Sequence, residues 1–128
     1  MTANGEPLRF AIVEDEPFMA ELVSDMLAST GMDVEVFPLG TDLLKSEHLL
    51  KFRYILLDLS LPDVDGFDLM EMLAADHIEA SIVVMSGHHP ATLEAAQLYG
   101  NGLGLDVQRA LTKPFARDEL FAALGLPQ

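Results

Sequence analysis

The chain has 128 residues, half of them hydrophobic, which suffices for a core and argues against disorder. We therefore expect a single domain over residues 1–128, with its folded core at about 8–124. A net charge of −14 argues against nucleic-acid binding, because phosphate contacts need lysine and arginine. The lack of cysteine excludes disulfides and thiolate zinc sites. Without a long apolar run or a signal-peptide core, we expect a soluble, cytoplasmic protein that does not contact membranes.

Apolar patterns predict five strands that alternate with five helices. The predicted strands are residues 8–13, 33–37, 54–57, 81–85 and 107–112. The predicted helices are residues 17–29, a segment capped by Thr41 that carries Leu43, Leu44, Leu49 and Leu50, and residues 67–77, 90–99 and 118–124. This alternation predicts an α/β fold in which helices cover both faces of a parallel sheet.

The strand at 54–57 is the centre of the pattern, because its apolar run ends directly in Asp58. A continuous apolar run is typical of a central parallel strand, and ligands bind at the carboxyl edge of such sheets. The chain then continues through four turn residues, Pro62, Asp63, Asp65 and Gly66. Asp58 is therefore either a strand-ending turn residue or a working carboxylate.

Three other predicted strands also end in functional groups, namely Glu14 with Asp15, Ser86, and Lys113. If the strands lie in the order 2-1-3-4-5, the carboxylates of the first and third strands meet at the switch point. Carboxylates that close together repel one another unless a cation lies between them, and an oxygen-only site suits Mg²⁺. A nearby lysine and hydroxyl would stabilise a transferring phosphoryl group. These residues suggest Mg²⁺-dependent phosphoryl transfer to Asp58.

Taken singly, each of these features also has a structural explanation. The acids at 14–16 suit the start of a helix, residues 86–87 suit an ordinary turn, and Lys113 suits a surface charge. His88 and His89 are adjacent on a loop, and such pairs seldom converge on one metal ion.

Together, the motifs resemble a bacterial two-component response-regulator receiver domain from about Leu8 to Leu124. The matching pieces are Glu14-Asp15, the segment from Asp58 to Pro62, Asp65-Gly66, Ser86-Gly87, and Lys113-Pro114-Phe115. The resemblance implies a flavodoxin-like (βα)5 fold with a five-stranded parallel sheet in the order 2-1-3-4-5.

The resemblance also implies a role for each matching residue. Asp58 would accept the phosphoryl group, Ser86 would hydrogen-bond a phosphoryl oxygen, and Lys113 would pair with Asp58 or its phosphate. The implied Mg²⁺ ligands are Asp58, Asp15, the backbone carbonyl of Ser60, and Glu14 through a water molecule.

The implied function is signalling rather than enzymatic turnover. A histidine kinase or phosphotransfer protein would supply the phosphoryl group, which the domain would lose slowly by hydrolysis. An output domain or a second copy of the chain would bind through the face formed by helix 4, strand 5 and helix 5. We expect phosphorylation to move residues 86–92 and 99–110, with deformability supplied by Gly100, Gly102 and Gly104.

The sequence departs from the family pattern at three places. Ala110 stands where receivers usually have an aromatic switch residue, and Glu14 replaces the commoner aspartate. The segment 99–113 resembles receivers attached to EAL-type cyclic-di-GMP phosphodiesterase domains.

Three alternatives remain. A phosphohydrolase of the haloacid-dehalogenase kind would need an aspartate at Ser60, and a flavodoxin-like cofactor site would not suit the acids at 14–16. A pseudo-receiver that only binds a partner is disfavoured by Asp58, Asp15 and Lys113 but is compatible with Ala110.

Overall fold

The computed structural model describes residues 2–87 and 90–127, and the predicted alternation of strands and helices is confirmed there. The strands are β1 (Arg9–Val13), β2 (Asp33–Phe37), β3 (Phe52–Asp58), β4 (Ser81–Ser86), β5 (Asp106–Val107) and β6 (Leu111–Thr112). The α-helices are α1 (Pro17–Leu27), α2 (Gly40–Leu44), α3 (Gly66–Ala75), α4 (Pro90–Gly102) and α5 (Arg117–Leu124). Within these described stretches, no helix is both long enough and apolar enough to cross a membrane.

The strands form one parallel sheet in the order β2-β1-β3-β4, with β5 and β6 both paired to β4. This confirms the predicted 2-1-3-4-5 order, although the predicted strand 107–112 is divided into two short strands. The register explains the division, because Ile82 is level with Val107 and Met85 with Leu111. Two residues of β4, 83 and 84, therefore lie opposite three residues of the adjacent segment, 108–110. The extra residue interrupts the ladder there.

Strand β3 is buried on both faces of the sheet, as its continuous apolar run predicts. Ile55 and Leu57 lie in the core cluster that also contains residues of α2, α3 and α4. Tyr54 and Leu56 point the other way and pack with residues of α1 and α5. The sheet thus separates two cores, and the ends of its central strands are held between helices on both sides.

The start of α2 differs from the prediction. The helix begins at Gly40, so Thr41 lies inside it, and Leu39 stands at the capping position without a side-chain hydrogen bond. The helix ends at Leu44, and the predicted continuation forms a separate 3-10 turn at Leu49–Lys51. Because leucine cannot cap a helix, the first amides of α2 take their acceptor from another part of the chain, described below.

Helix α4 continues through Gly100 to Gly102, whereas the sequence suggested an end near Tyr99. A Cβ atom on Gly100 would lie 2.5 Å from Val107 Cγ2 and 3.0 Å from Met70 Sδ. The glycine therefore permits close packing of α4 on β5, while the expected deformability of this link on phosphorylation stays a prediction. Gly104, in contrast, has a positive φ of 92° in the turn after the helix.

Candidate functional site

The register of the sheet brings two acidic strand ends to the same edge. Val13 of β1 is level with Leu57 of β3, so Glu14 and Asp58 follow side by side. Carboxylate oxygens of Glu14, Asp15 and Asp58 all lie within 4.8 Å of one another. The structure therefore brings together the three carboxylates that the sequence singles out.

Two of these three acids are buried. Glu14 is 1% exposed and Asp58 is 3% exposed, whereas Asp15 faces solvent. The Glu14 N–H donates to the Phe37 carbonyl at 3.1 Å, and the Ser60 N–H donates to Asp58 Oδ1 at 2.9 Å. Backbone hydrogen bonds thus hold the two buried acids in place, and Asp15 leaves one side of the cluster open to water.

Lys113, directly after β6, is the cation of this cluster. Its Nζ lies 3.0 Å from Asp58 Oδ2 and also donates to Glu14 Oε1. Partial burial lowers the pKa of Lys113, but the hydrogen bonds with Glu14 and Asp58 outweigh it and raise the pKa above its usual value. The lysine therefore stays charged between the two buried carboxylates.

The charges at the site do not balance, because three carboxylates face one ammonium group. Burial and the hydrogen bond to Asp58 raise the pKa of Glu14 from 4.5 to about 7, although Lys113 acts in the opposite direction. The raised pKa means that the ionised form of Glu14 is disfavoured in the folded protein. A bound cation would therefore stabilise the site.

Backbone hydrogen bonds connect the segments around Asp58, Ser86 and Lys113. Ser86 is the last residue of β4 and is fully buried, and its carbonyl accepts a hydrogen bond of 2.9 Å from the Lys113 N–H. The Leu59 N–H donates to the Met85 carbonyl at 3.0 Å, which continues the β3–β4 ladder past Asp58. These bonds join the chain segments that carry Asp58, Ser86 and Lys113.

For one structurally important residue of this region, Asp63, the sequence indicates only a turn-forming role. Asp63 Oδ1 accepts a hydrogen bond of 3.1 Å from the Gly40 N–H, and Oδ2 accepts one of 3.0 Å from the Thr41 N–H. Asp63 is thus the acceptor that caps α2 from a different loop. The sequence gives no local signal for this role, because Thr41 is itself a capping residue type and the start of the helix at Gly40 is seen only in the structure.

Position 110 carries a methyl group instead of an aromatic ring. Ala110 lies between β5 and β6 and packs, partly buried, on the core cluster shared with α3 and α4. It also lines an open depression of about 350 Å³ between this segment and α5. His88 and His89 lie outside the described residues.

The donor set suits a hard divalent cation. All of the converging side-chain donors are oxygen atoms, and the exposure of Asp15 allows coordinated water, which Mg²⁺ retains in most protein sites. Lys113 lies where it could contact an anionic group attached to Asp58. The arrangement can therefore bind a cation and stabilise negative charge at the Asp58 carboxylate.

The chain is similar to known signalling proteins along nearly its whole length. The family model described as "Response regulator receiver domain" matches residues 10–125. The cell cycle response regulator CtrA of Brucella ovis is 30% identical over 117 residues, which are 91% of this chain and 48% of that protein. The chain thus spans about half the length of the curated relatives it matches.

Solved structures give the same result. A response regulator from Colwellia psychrerythraea superposes with a TM-score of 0.80 at 28% identity, covering 94% of this chain and 95% of that one. A response regulator protein from Burkholderia pseudomallei, solved with a phosphorylated aspartic acid, a calcium ion and citrate, superposes with a TM-score of 0.75 at 25% identity. That similarity covers 91% of this chain and 66% of the other.

Proposed function

Because this chain belongs to the response regulator receiver domain family, it is a signalling domain of a two-component system, and we propose that it accepts a phosphoryl group on Asp58 with Mg²⁺. The observation that carries the proposal is the position of Asp58. Its buried carboxylate ends the central strand, lies within 4.8 Å of two other carboxylates, and is 3.0 Å from Lys113 Nζ. The phosphorylated aspartic acid and calcium ion of the Burkholderia relative support it.

The residues at the edge of the sheet have different proposed roles, either binding Mg²⁺ or contacting the phosphoryl group. Asp15, Asp58 and the Ser60 carbonyl would hold the Mg²⁺ ion directly, and Glu14 would hold it through water. When bound, Mg²⁺ supplies positive charge that offsets the carboxylates and the incoming phosphoryl oxygens. Lys113 would keep its contact with Asp58 and meet one phosphoryl oxygen, and the Ser86 hydroxyl would donate to another.

The transfer is a displacement at phosphorus. An Asp58 carboxylate oxygen forms a new bond to phosphorus while the bond from phosphorus to the donor nitrogen breaks, and that electron pair leaves with the donor. The product is an acyl phosphate on Asp58, and attack of water on its phosphorus later returns the free carboxylate and inorganic phosphate. The domain therefore carries a signal of limited lifetime and has no substrate to turn over.

Receiver domains of response regulators work with kinases and output domains. For this chain, we propose a histidine kinase or phosphotransfer protein as the donor. We propose the surface of α4, β5, β6 and α5 as the contact for an output domain or a second copy, because Lys113 connects that surface to Asp58.

Intact-protein mass spectrometry after incubation with acetyl phosphate and Mg²⁺ tests the proposal. We expect the chain to gain the mass of one phosphoryl group, Asp58→Asn to abolish this gain, and EDTA to suppress it. Asp65→Asn is the matched control, because Asp65 lies on the same loop and its carboxylate caps α3, a role that asparagine also fills.

Two results would contradict the proposal. An unchanged adduct in Asp58→Asn would place the phosphoryl group elsewhere. A folded protein that gains no adduct from acetyl phosphate or from phosphorylated kinases would favour a module that only binds a partner.

A further inference from the structure

The turn between β2 and α2 touches both acidic loops of the site. We use the name β2–α2 turn for residues 37–41, which include the last residue of β2 and the first two residues of α2. On one side, its Phe37 carbonyl accepts a hydrogen bond of 3.1 Å from the Glu14 N–H. On the other side, Asp63 accepts hydrogen bonds from the N–H groups of Gly40 and Thr41, at 3.1 and 3.0 Å. Two loops that are far apart in sequence are thus fastened to one short segment.

Each of these loops carries part of the proposed cation site. The β1–α1 loop (residues 14–16) holds Glu14 and Asp15, and the β3–α3 loop (residues 59–65) follows Asp58 and holds Ser60. A cation bound between the loops needs oxygen atoms from both at fixed separations. Mg²⁺ is demanding in this respect, because it requires near-octahedral geometry and short oxygen distances.

Packing between the β3–α3 loop and α2 is close. A Cβ atom on Gly40 would lie 2.5 Å from Val64 Cγ1, and Leu61 of the same loop is buried in the core. At its far end, a Cβ on Gly66 would lie 3.1 Å from the Leu59 Cα atom. The loop therefore packs closely against α2, and its first residue, Leu59, closely approaches the first residue of α3.

Asp63 makes the polar part of this contact. Helix α2 has five residues and no capping side chain of its own, so its first amides depend on the Asp63 carboxylate. Burial acts to raise the pKa of Asp63, but the hydrogen bonds from Thr41 and Gly40 together outweigh it and lower the pKa below its usual range. The carboxylate is therefore ionised at neutral pH and accepts both bonds.

We infer that Asp63 is a positioning residue of the phosphoacceptor site: by fastening the β3–α3 loop to the β2–α2 turn, it sets the spacing between the two loops that carry the cation ligands. This inference rests on the proposed function for its metal, and on the hydrogen bonds of Asp63 for its geometry. Asp63 itself contacts neither the cation nor the phosphoryl group.

Two measurements on the whole chain test the inference, namely amide hydrogen exchange without metal and Mg²⁺ titration followed by NMR. In Asp63→Ala, we expect faster exchange at Ser60 and Leu61 as well as at Gly40 and Thr41. We also expect the Mg²⁺ dissociation constant to rise about tenfold, the lower end of the effect of residues that orient metal ligands. Asp63→Asn keeps one acceptor oxygen and should give an intermediate value.

Asp42→Ala is the matched control for charge. Asp42 is an exposed carboxylate in the first turn of the same helix, and in the part of the chain that the structure describes its carboxylate has no hydrogen bond to the β3–α3 loop. Asp42→Ala removes one negative charge, as Asp63→Ala does, but keeps the hydrogen bonds from Gly40 and Thr41 to Asp63. We expect it to change Mg²⁺ affinity by less than about twofold, because exposed charges are screened by solvent and salt.

The outcomes separate the inference from the function on which it rests. If Asp63→Ala speeds exchange only at Gly40 and Thr41 and leaves Mg²⁺ affinity unchanged, Asp63 is merely a cap of α2 and the inference is wrong. If the unaltered chain binds no Mg²⁺, the proposed metal function fails. In that case, hydrogen exchange alone tests the positioning role, and an unchanged exchange rate at Ser60 in Asp63→Ala would overturn it. If Asp63→Ala does not fold, Asp63→Asn decides by the same two measurements.

Discussion

The carboxyl edge of the sheet has two halves that are built differently. At β1 and β3, the acids lie at the carboxyl ends of strands of five and seven residues, and hydrogen bonds fasten their loops to the β2–α2 turn. Beside β4, the edge consists of β5 and β6, which have two residues each, with 108–110 between them. The strands of the first half pair over several residues, whereas β5 and β6 each pair with β4 over only two residues.

The second half depends on side chains where ladder bonds are missing. The Asn101 amide bonds both polar groups of Val107, donating to its carbonyl at 3.2 Å and accepting from its N–H at 2.9 Å. At the other edge of the sheet, the Ser81 hydroxyl donates to Asp106 at 2.8 Å. Segments with few ladder bonds open at lower free energy than long strands. The comparison suggests that ligand geometry is held by the first half, whereas structural change is least costly in the second.

Lys113 joins the halves, and its removal should have the largest effect. Lys113→Met keeps most of the apolar stem but leaves Glu14 and Asp58 buried without their cation. Removing one partner from a buried ion pair typically costs 3–5 kcal/mol, and because Lys113 is 20% exposed we expect a loss of about 3 kcal/mol. Urea unfolding at pH 7.5 in EDTA measures this loss.

A double variant checks the cause. Repulsion between the Glu14 and Asp58 carboxylates, left without Lys113, would explain the loss of stability. Adding Asp58→Asn to Lys113→Met should then recover about half of that loss, because one of the two charges disappears. Strictly additive effects of the two substitutions would show that the carboxylates and the lysine are energetically independent, which would contradict the electrostatic picture of the first half.

Glu14 should make stability depend on pH. Its pKa is about 7 in the folded chain and 4.5 without burial, so its contribution to stability is fully present below pH 4.5 and is lost as the pH rises through 7. Glu14→Gln removes this loss. Between pH 5 and pH 8, we expect the variant to gain about 2 kcal/mol relative to the unaltered chain when no metal is present.

Urea unfolding at both pH values in EDTA measures that gain, and Glu16→Gln is the control. Glu16 is an exposed carboxylate on the same loop, where glutamine can still accept the Phe18 N–H. A pH-dependent gain of equal size in Glu16→Gln would show that the gain does not come from the buried Glu14 carboxylate. A constant difference between Glu14→Gln and the unaltered chain at both pH values would show that Glu14 is not held in the folded state as described.

The first half was largely predictable from sequence, and the second was not. Apolar runs that end in acids indicate strand ends, and parallel strands bring such ends to one edge, so Glu14, Asp15 and Asp58 could be grouped in advance. The division of the last strand depends on a register with β4 that no local pattern records. Likewise, a glycine in sequence does not reveal what lies opposite it, which for Gly100 is Val107 and Met70.

The capping role of Asp63 escaped prediction for a related reason. Its partners, Gly40 and Thr41, lie more than twenty residues earlier in the chain, and the hydrogen bonds form only once the β3–α3 loop is packed on α2. Thr41 was the natural capping residue by type, but the helix begins one residue before it. Long-range acceptors of this kind become visible only in three dimensions.

The smallest predicted effect concerns two glycines of α4 that sequence treats alike. Gly100→Ala would drive a methyl group to 2.5 Å from Val107 Cγ2, whereas a Cβ on Gly102 meets nothing within 4 Å. We expect Gly100→Ala to destabilise the chain by about 1–2 kcal/mol through overpacking, with faster hydrogen exchange at β5. Gly102→Ala should be neutral or stabilising by less than about 1 kcal/mol, since alanine favours the helix. Equal stabilities of the two variants in urea unfolding would mean that α4 and β5 are not closely packed, and that the second half of the edge is looser than the structure indicates.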